Sequence, residues 1–180
     1  MIHGKKIYLT SIDKDNLNTL REWRNNPELR QYFREHRELS MDMQTNWYVN
    51  KVLGDPNQYN FEIHDNESKK LIGHCGLYYI NWISKSAEFG IYIGDFSFRN
   101  GGYGSDSLRT LIDYGFNQLN MNRIWAEVYS NNDAIKVYTK IGFKIEGVLR
   151  QNVFKNGEYF DSTIISLLKS EYEDIKNERK

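Results

Sequence analysis

The hydrophobic period of this chain changes once, and sharply, near residue 102. Over residues 86–93 apolar and polar or small positions alternate as in a strand. Beyond it Leu108, Leu111, Ile112, Gly115, Phe116 and Leu119 recur at helical spacing, one stripe of an amphipathic helix over 102–119. Residues 123–129 then return to strand character. A strand, a long helix and a second strand in direct succession give a crossover, and a crossover is what a parallel strand pair needs.

The remaining segments are joined by short turns, which favour antiparallel pairing. Residues 6–10 read as a strand, and Ser11 with Asp13 can cap a helix carrying Leu17, Leu20 and Trp23. Pro27 suits the first turn of a second short helix reaching Tyr32 and Phe33, and Ser40 opens a third over 41–52. Strands follow over 59–63, 70–80 and 86–93, the first two across a turn at Asp65-Asn66-Glu67. Late in the chain, 131–141 reads as a short helix ended by Gly142 in the left-handed region, and strands over 143–149 and 159–168 flank an Asn156-Gly157 turn. The expected fold is α+β: a single domain over 1–180 with its core at 6–168, and 169–180 a C-terminal tail or helix. Its central sheet is mixed but mostly antiparallel.

Composition narrows the function. Lys plus Arg and Asp plus Glu number 24 each, so no broad cationic field exists for nucleic acid or anionic lipid. One cysteine, Cys75, and four scattered histidines make neither a disulfide framework nor a zinc site. No long apolar run or signal-like h-region occurs, so the expectation is a cytoplasmic protein with no membrane, nucleic-acid or metal partner.

Arg99-Asn100-Gly101-Gly102-Tyr103-Gly104-Ser105 is a glycine-rich loop opening into a helix N-terminus, where backbone N–H groups and the helix dipole favour an anion. It lacks the Gly-Lys-Ser/Thr of a Walker loop and the G-x-G-x-x-G of a dinucleotide fold. Its Arg99-x-x-Gly102-x-Gly104 spacing resembles the pyrophosphate loop of the GCN5-related N-acetyltransferases (GNAT), which bind acetyl-coenzyme A (acetyl-CoA). Downstream, the run from Asn131 through Ala134, Tyr138 and Lys140 to Gly142-Phe143 resembles a second pattern of that family. The resemblance spans 6–168 and implies that the parallel pair splays apart.

On that resemblance, the backbone of Ile91, Tyr92 and Ile93 would pair with the pantetheine arm as an added strand would. Arg99 to Ser105 would hold the pyrophosphate, Asn131 would reach the pantetheine, and Tyr138 would sit at the thioester sulfur as general acid. Its phenol, ordinarily of pKa about 10, is protonated at neutral pH and close to a thiol of about 8.5. Without the family, Tyr138 reads as a core residue beside Val137 and Ile141 on the same stripe. Glu88 is the candidate base or cation holder, with a solvated or salt-bridged strand glutamate as the alternative and Glu127 in reserve. Cys75 and His74 point to opposite strand faces, which argues against covalent catalysis and leaves Cys75 a small buried hydrophobe.

Trp23-Arg24-Asn25 resembles ribosomal-protein alanine and nucleotide-amino-sugar acetyltransferases, whereas 88–159 looks like the spermidine acetyltransferases. Arg34, Glu35, His36 and Arg37 are candidates to line an acceptor groove. The implied activity is acetyl transfer from acetyl-CoA to a primary amine of a small molecule or protein N-terminus, by direct attack in a ternary complex. Spermidine, a nucleotide-linked amino sugar or a ribosomal-protein N-terminus is the acceptor, and a homodimer is the assembly left open. A non-catalytic acyl-CoA sensor of the same fold is the alternative.

Overall fold

The computed structural model describes residues 1–177, leaving the last three residues of the expected C-terminal segment outside the description. Its strands are β1 (Ile2–His3), β2 (Ile7–Ser11), β3 (Tyr59–Asp65), β4 (Leu71–Asn81), β5 (Ser86–Ile93), β6 (Arg123–Tyr129), β7 (Lys144–Lys155) and β8 (Glu158–Leu168). Its α-helices are α1 (Leu17–Asn25), α2 (Pro27–Arg30), α3 (Met41–Trp47), α4 (Tyr103–Asn117), α5 (Ile135–Ile141) and α6 (Lys169–Asn177). The strands form one sheet in the order β1-β2-β3-β4-β5-β6-β8-β7, and β5–β6 is its parallel pair. The α+β fold with the crossover at α4 is as the periodicity implies.

The apolar stripe of α4 explains why that crossover holds. Leu108, Leu111, Ile112 and Phe116 are fully buried against Leu77 and Ile124, in a core that runs under most of the sheet. Tyr172 and Ile175 of α6 pack onto the same core, so the described part of the C-terminal segment is a docked helix. A smaller cluster, Ile12, Leu17 and Leu20 with Trp23 and Trp47 packed against it, ties α1 to α3 on the other face of the sheet.

Several boundaries depart from the sequence reading for local reasons. Asp13 caps a 3₁₀ turn, Lys14–Asn16, by accepting from the Asp15 amide at 3.0 Å, and α1 begins after it. The α2 helix stops at Arg30 and the chain continues to Phe33 only as turns. After α3 the backbone loosens into a π-helix, Tyr48–Leu53. The α5 helix starts at Ile135 rather than 131, because Asn132 Oδ1 accepts the Ala134 amide and holds 131–134 as a turn. Gly142 has φ +130°, positive but outside the left-handed helical well. β7 runs on to Lys155 through an irregularity between Leu149 and Val153, where Gln151 has φ +51° and its amide bonds Asp161. At the tip, Asn156 (φ +52°) and Gly157 (φ +88°) make the expected primed turn. Among the described residues no helix is long and apolar enough to cross a membrane.

Gly73 in β4 faces Ile93 of β5, and a Cβ there would meet the Tyr92 carbonyl oxygen at 2.3 Å. The neighbour is backbone, so the strand itself would have to move. Gly73→Ala is expected to destabilise the fold by about 1–3 kcal/mol; urea unfolding checks this, and an unchanged midpoint would show that β5 yields freely.

Candidate active site

The site is built where β5 and β6 part. Their pairing covers Ser86 with Arg123, Ala87 with Ile124 and Glu88 with Trp125, and ends there. β4 accompanies β5 on its other side as far as Ile93, so beyond Glu88 one edge of β5, including Ile91, Tyr92 and Ile93, faces a gap. Such an edge offers backbone donors and acceptors to an extended, amide-bearing chain. Across the gap, in the turn after β6, Asn131 Oδ1 is buried with no hydrogen-bond partner among the described residues. A buried amide oxygen left unpaired is destabilising unless a ligand donor meets it.

At the far end of β5 stands the glycine-rich loop. Gly102 caps α4 at φ +82°, where a side chain would be strained, and Asn100 is at φ +61°. Tyr103, Gly104 and Ser105 form the first turn of α4, with their amides at the positive end of a fifteen-residue helix. Arg99 lies over the Phe96 ring at 3.5 Å, with Glu28 at 3.8 Å. Lys6 had no role in the sequence reading, yet its Nζ donates to the Gly101 carbonyl at 2.8 Å and its amide to Asp106 at 2.7 Å. These contacts pin the loop to the start of β2. The loop is shaped for a phosphate-like anion.

Tyr138 of α5 packs edge-on against Phe89 at 5.1 Å. Phe89 and Glu88 are adjacent in β5 and therefore point to opposite sheet faces, which puts Tyr138 and Glu88 on opposite sides of the fork. Burial pushes the Tyr138 phenol up to about 12, so it is a persistent donor.

On the other face Glu88 is not solvated. Arg34, from the loop after α2, donates Nη1 to Glu88 Oε2 at 3.0 Å and Nη2 to Glu88 Oε1 at 2.6 Å. The same Nη2 reaches Glu127 Oε2 at 2.8 Å, and Asn152 of β7 donates to Glu127 Oε1 at 2.6 Å. The hydrogen bond to Glu88, ahead of that to Glu127, keeps Arg34 charged. Burial works against the charge of Glu127, but hydrogen bonds involving Ser162, Arg34 and Asn152 outweigh it and leave its pKa below the ordinary value. Two carboxylates thus share one guanidinium beside the gap. Arg34 was singled out in the sequence, but its partners lie 54 and 93 residues away and carry no local signal.

The Trp23-Arg24-Asn25 segment places this loop. Trp23 sits edge-on to Tyr92 at 6.4 Å and leaves no room for a side chain at Gly94. Asn25 exchanges hydrogen bonds with the Leu39 backbone at 2.8 and 3.0 Å, fixing the far end of the loop. Phe33 packs on Tyr92 at 5.2 Å. Beneath them His74 is held between Trp47 and Tyr92, while Cys75 is fully buried on the opposite face with its thiol pushed up by burial. Their opposed faces leave no Cys–His couple. No cluster of three or more metal-ligating side chains occurs among the described residues.

Comparison with known proteins finds relatives in both sequence and fold. The family model described as an acetyltransferase (GNAT) domain matches residues 6–144. The spermidine N(1)-acetyltransferase of Vibrio cholerae is 31% identical over 170 residues, 94% of this chain and 96% of that protein. The crystal structure of spermidine N-acetyltransferase from Vibrio cholerae in complex with CoA and spermine superposes with a TM-score of 0.87 at 31% identity, covering 93% of this chain and 98% of that one. Its dodecameric structure in an intermediate state gives 0.81 at 31% identity, covering 93% and 96%.

Burial, and after it the charge of Arg24, hold the His74 pKa at about 3, below its ordinary 6.5. The unfolded chain therefore takes up a proton that the folded chain refuses, so stability is full above pH 6.5 and is lost as pH falls toward 3. Between pH 6.5 and about 5, before most carboxylates titrate, the stability should fall with a slope approaching about 1.4 kcal/mol per pH unit. Chemical denaturation across that window reads it, and His74→Leu should flatten the slope; an unaltered slope would remove His74 as its source.

Proposed function

This chain belongs to the GNAT acetyltransferase family, and on that premise we propose that it moves the acetyl group of acetyl-CoA to a primary amine inside the fork between β5 and β6. The parting of the strands after Glu88, with Glu88 and Tyr138 on opposite faces of the opening, is the observation that carries the reading. The coenzyme supplies a thioester carbonyl. The exposed edge of Ile91, Tyr92 and Ile93, the orphaned Asn131 Oδ1 and the loop from Arg99 to Ser105 are the groups that fit its amides and its pyrophosphate.

Direct attack in a ternary complex forms the N–C bond as the C–S bond breaks; the nitrogen sheds two protons in all, one to the base before attack and one that restores the acid after it has protonated the thiolate. Tyr138 donates to the departing thiolate. A phenol near 12 is a weaker acid than the ordinary value implies, but a thiolate in the same dry place is a stronger base, as the raised thiol of buried Cys75 illustrates. Glu88, directly or through water, accepts the ammonium proton before attack. Both of its oxygens are engaged by Arg34, so the acceptor's ammonium must take the place of that guanidinium. Glu127 then completes an anionic cup for the incoming cation.

The name of the Vibrio relative supports spermidine as the first acceptor to try. Its dodecamer supports self-association here without favouring a dimer.

Tyr138→Phe should lower kcat with spermidine, or with whichever amine is turned over, by about 10²-fold or more while leaving CoA affinity unchanged. Thiol release and calorimetry read the two separately, and an undiminished kcat would remove Tyr138 from the chemistry. Arg34→Met should tighten spermidine binding by about tenfold, because two carboxylates then face the amine without an internal competitor. Equal affinity in calorimetry would show that Arg34 and the amine do not share the cup.

A further inference from the structure

A cavity of about 450 Å³ lies beside the acceptor face, between α1, the loop after α2, and α3. Its size falls in the range of small-molecule sites. Arg24, Arg37 and Lys51 among its walls outnumber its one carboxylate, Glu35. Arg37 is already paired with Glu35 at 2.7 Å, and Lys51 with Asp55 at 3.1 Å. Arg24 is different: its guanidinium lies over the Phe33 ring at 5.5 Å, and no carboxylate among the described residues pairs with it. Its two neighbours in sequence have structural work, Trp23 against Gly94 and Asn25 on the Leu39 backbone, whereas Arg24 has none of that kind.

A second, independent feature points the same way. Gln44 of α3 lines the cavity, is 1% exposed, and has both Nε2 and Oε1 buried with no hydrogen-bond partner among the described residues. An unsatisfied buried amide weakens a fold, and a leucine of similar volume would fill the place without that penalty. An amide that can donate and accept beside an uncompensated guanidinium is the equipment of an oxyanion site.

We propose that this cavity binds the oxyanion of a small molecule, a carboxylate or a phosphate, with Arg24 as its counter-charge and Gln44 as its hydrogen-bonding partner. That the oxyanion belongs to the acceptor rests on the acetyl-transfer reading above. Phe33 bridges Arg24 to Tyr92, and Tyr92 shares its strand face with Glu88, so the cavity lies on the Glu88 face of the sheet. An acceptor of this class carries an amine toward Glu88 and an anionic group toward Arg24. Spermidine has no such group, which separates the inferred acceptor from a plain polyamine.

The test is calorimetry on the full chain at saturating CoA, which fills the other anion site at the glycine-rich loop. Inorganic phosphate and succinate are titrated separately into the millimolar range. Saturable binding is expected for at least one, weakened about tenfold or more by Arg24→Met while CoA affinity stays the same. Phosphate alone binding assigns a phosphorylated ligand, and succinate alone assigns a carboxylate. Gln44→Leu should raise the melting temperature and weaken the same anion, opposite movements that a purely structural glutamine would not give. No saturable heat with either anion, unchanged binding in Arg24→Met, or a lower melting temperature in Gln44→Leu overturns the proposal. If CoA itself fails to bind, the coenzyme reading falls, and the difference between parent and Arg24→Met still decides the cavity.

Discussion

Everything at the site follows from a parallel pair that is joined at one end only. The α4 crossover fixes the start of β5 beside the start of β6, and the burial of Leu108, Leu111 and Phe116 against the sheet keeps it there. Nothing equivalent draws the far ends together. The sheet therefore carries an edge in its middle, and edges are places where a polypeptide-like ligand can be paired. Antiparallel pairing on both flanks, β4 with β5 and β6 with β8, makes the opening rigid instead of frayed.

Charge is distributed around that opening by face. The face of Phe89 and Tyr138 is apolar and dry, which keeps a phenol protonated. The face of Glu88 is roofed by the N-terminal helices, and its two buried carboxylates, Glu88 and Glu62, have partners supplied from far along the chain. Arg34 serves two acids, and Glu62 beneath α1 accepts from the Asp13 amide at 2.9 Å and from Asn16 at 3.0 Å. The roof is thus held on by polar contacts as much as by the small apolar cluster around Leu20. A roof so attached can vary in sequence while the fork beneath it stays the same.

How far the sequence could be read tracks how local each cause was. The α4 stripe, the strand 86–93, the Asn156-Gly157 turn and the Pro27 helix start rest on residues within one or two turns of each other, and each is where the pattern puts it. Residues 99–105 and Tyr138 stand beside the fork because their spacing is tied to those same elements. Glu88 reads in sequence as a base, a cation holder or a solvated or salt-bridged strand glutamate, and its partner is not legible, since Arg34 is brought to it by Asn25 holding Leu39 and by Phe33 resting on Tyr92. The unpaired Gln44 looks in sequence like any helix glutamine. The prolonged β7 was hidden by its irregularity near Gln151, which breaks the alternation that marks a strand.

Cys75 lies fully buried between the fork and α4, and burial raises its thiol far above the range in which a thiolate forms at neutral pH. Electrophiles and peroxides react with thiolates at accessible positions, so this sulfur is closed to both. The chain has no other cysteine. A protein that liberates a reactive thiol at each turnover thus carries none of its own within reach, and is spared mixed disulfides with its product when the surrounding thiol pool turns oxidising.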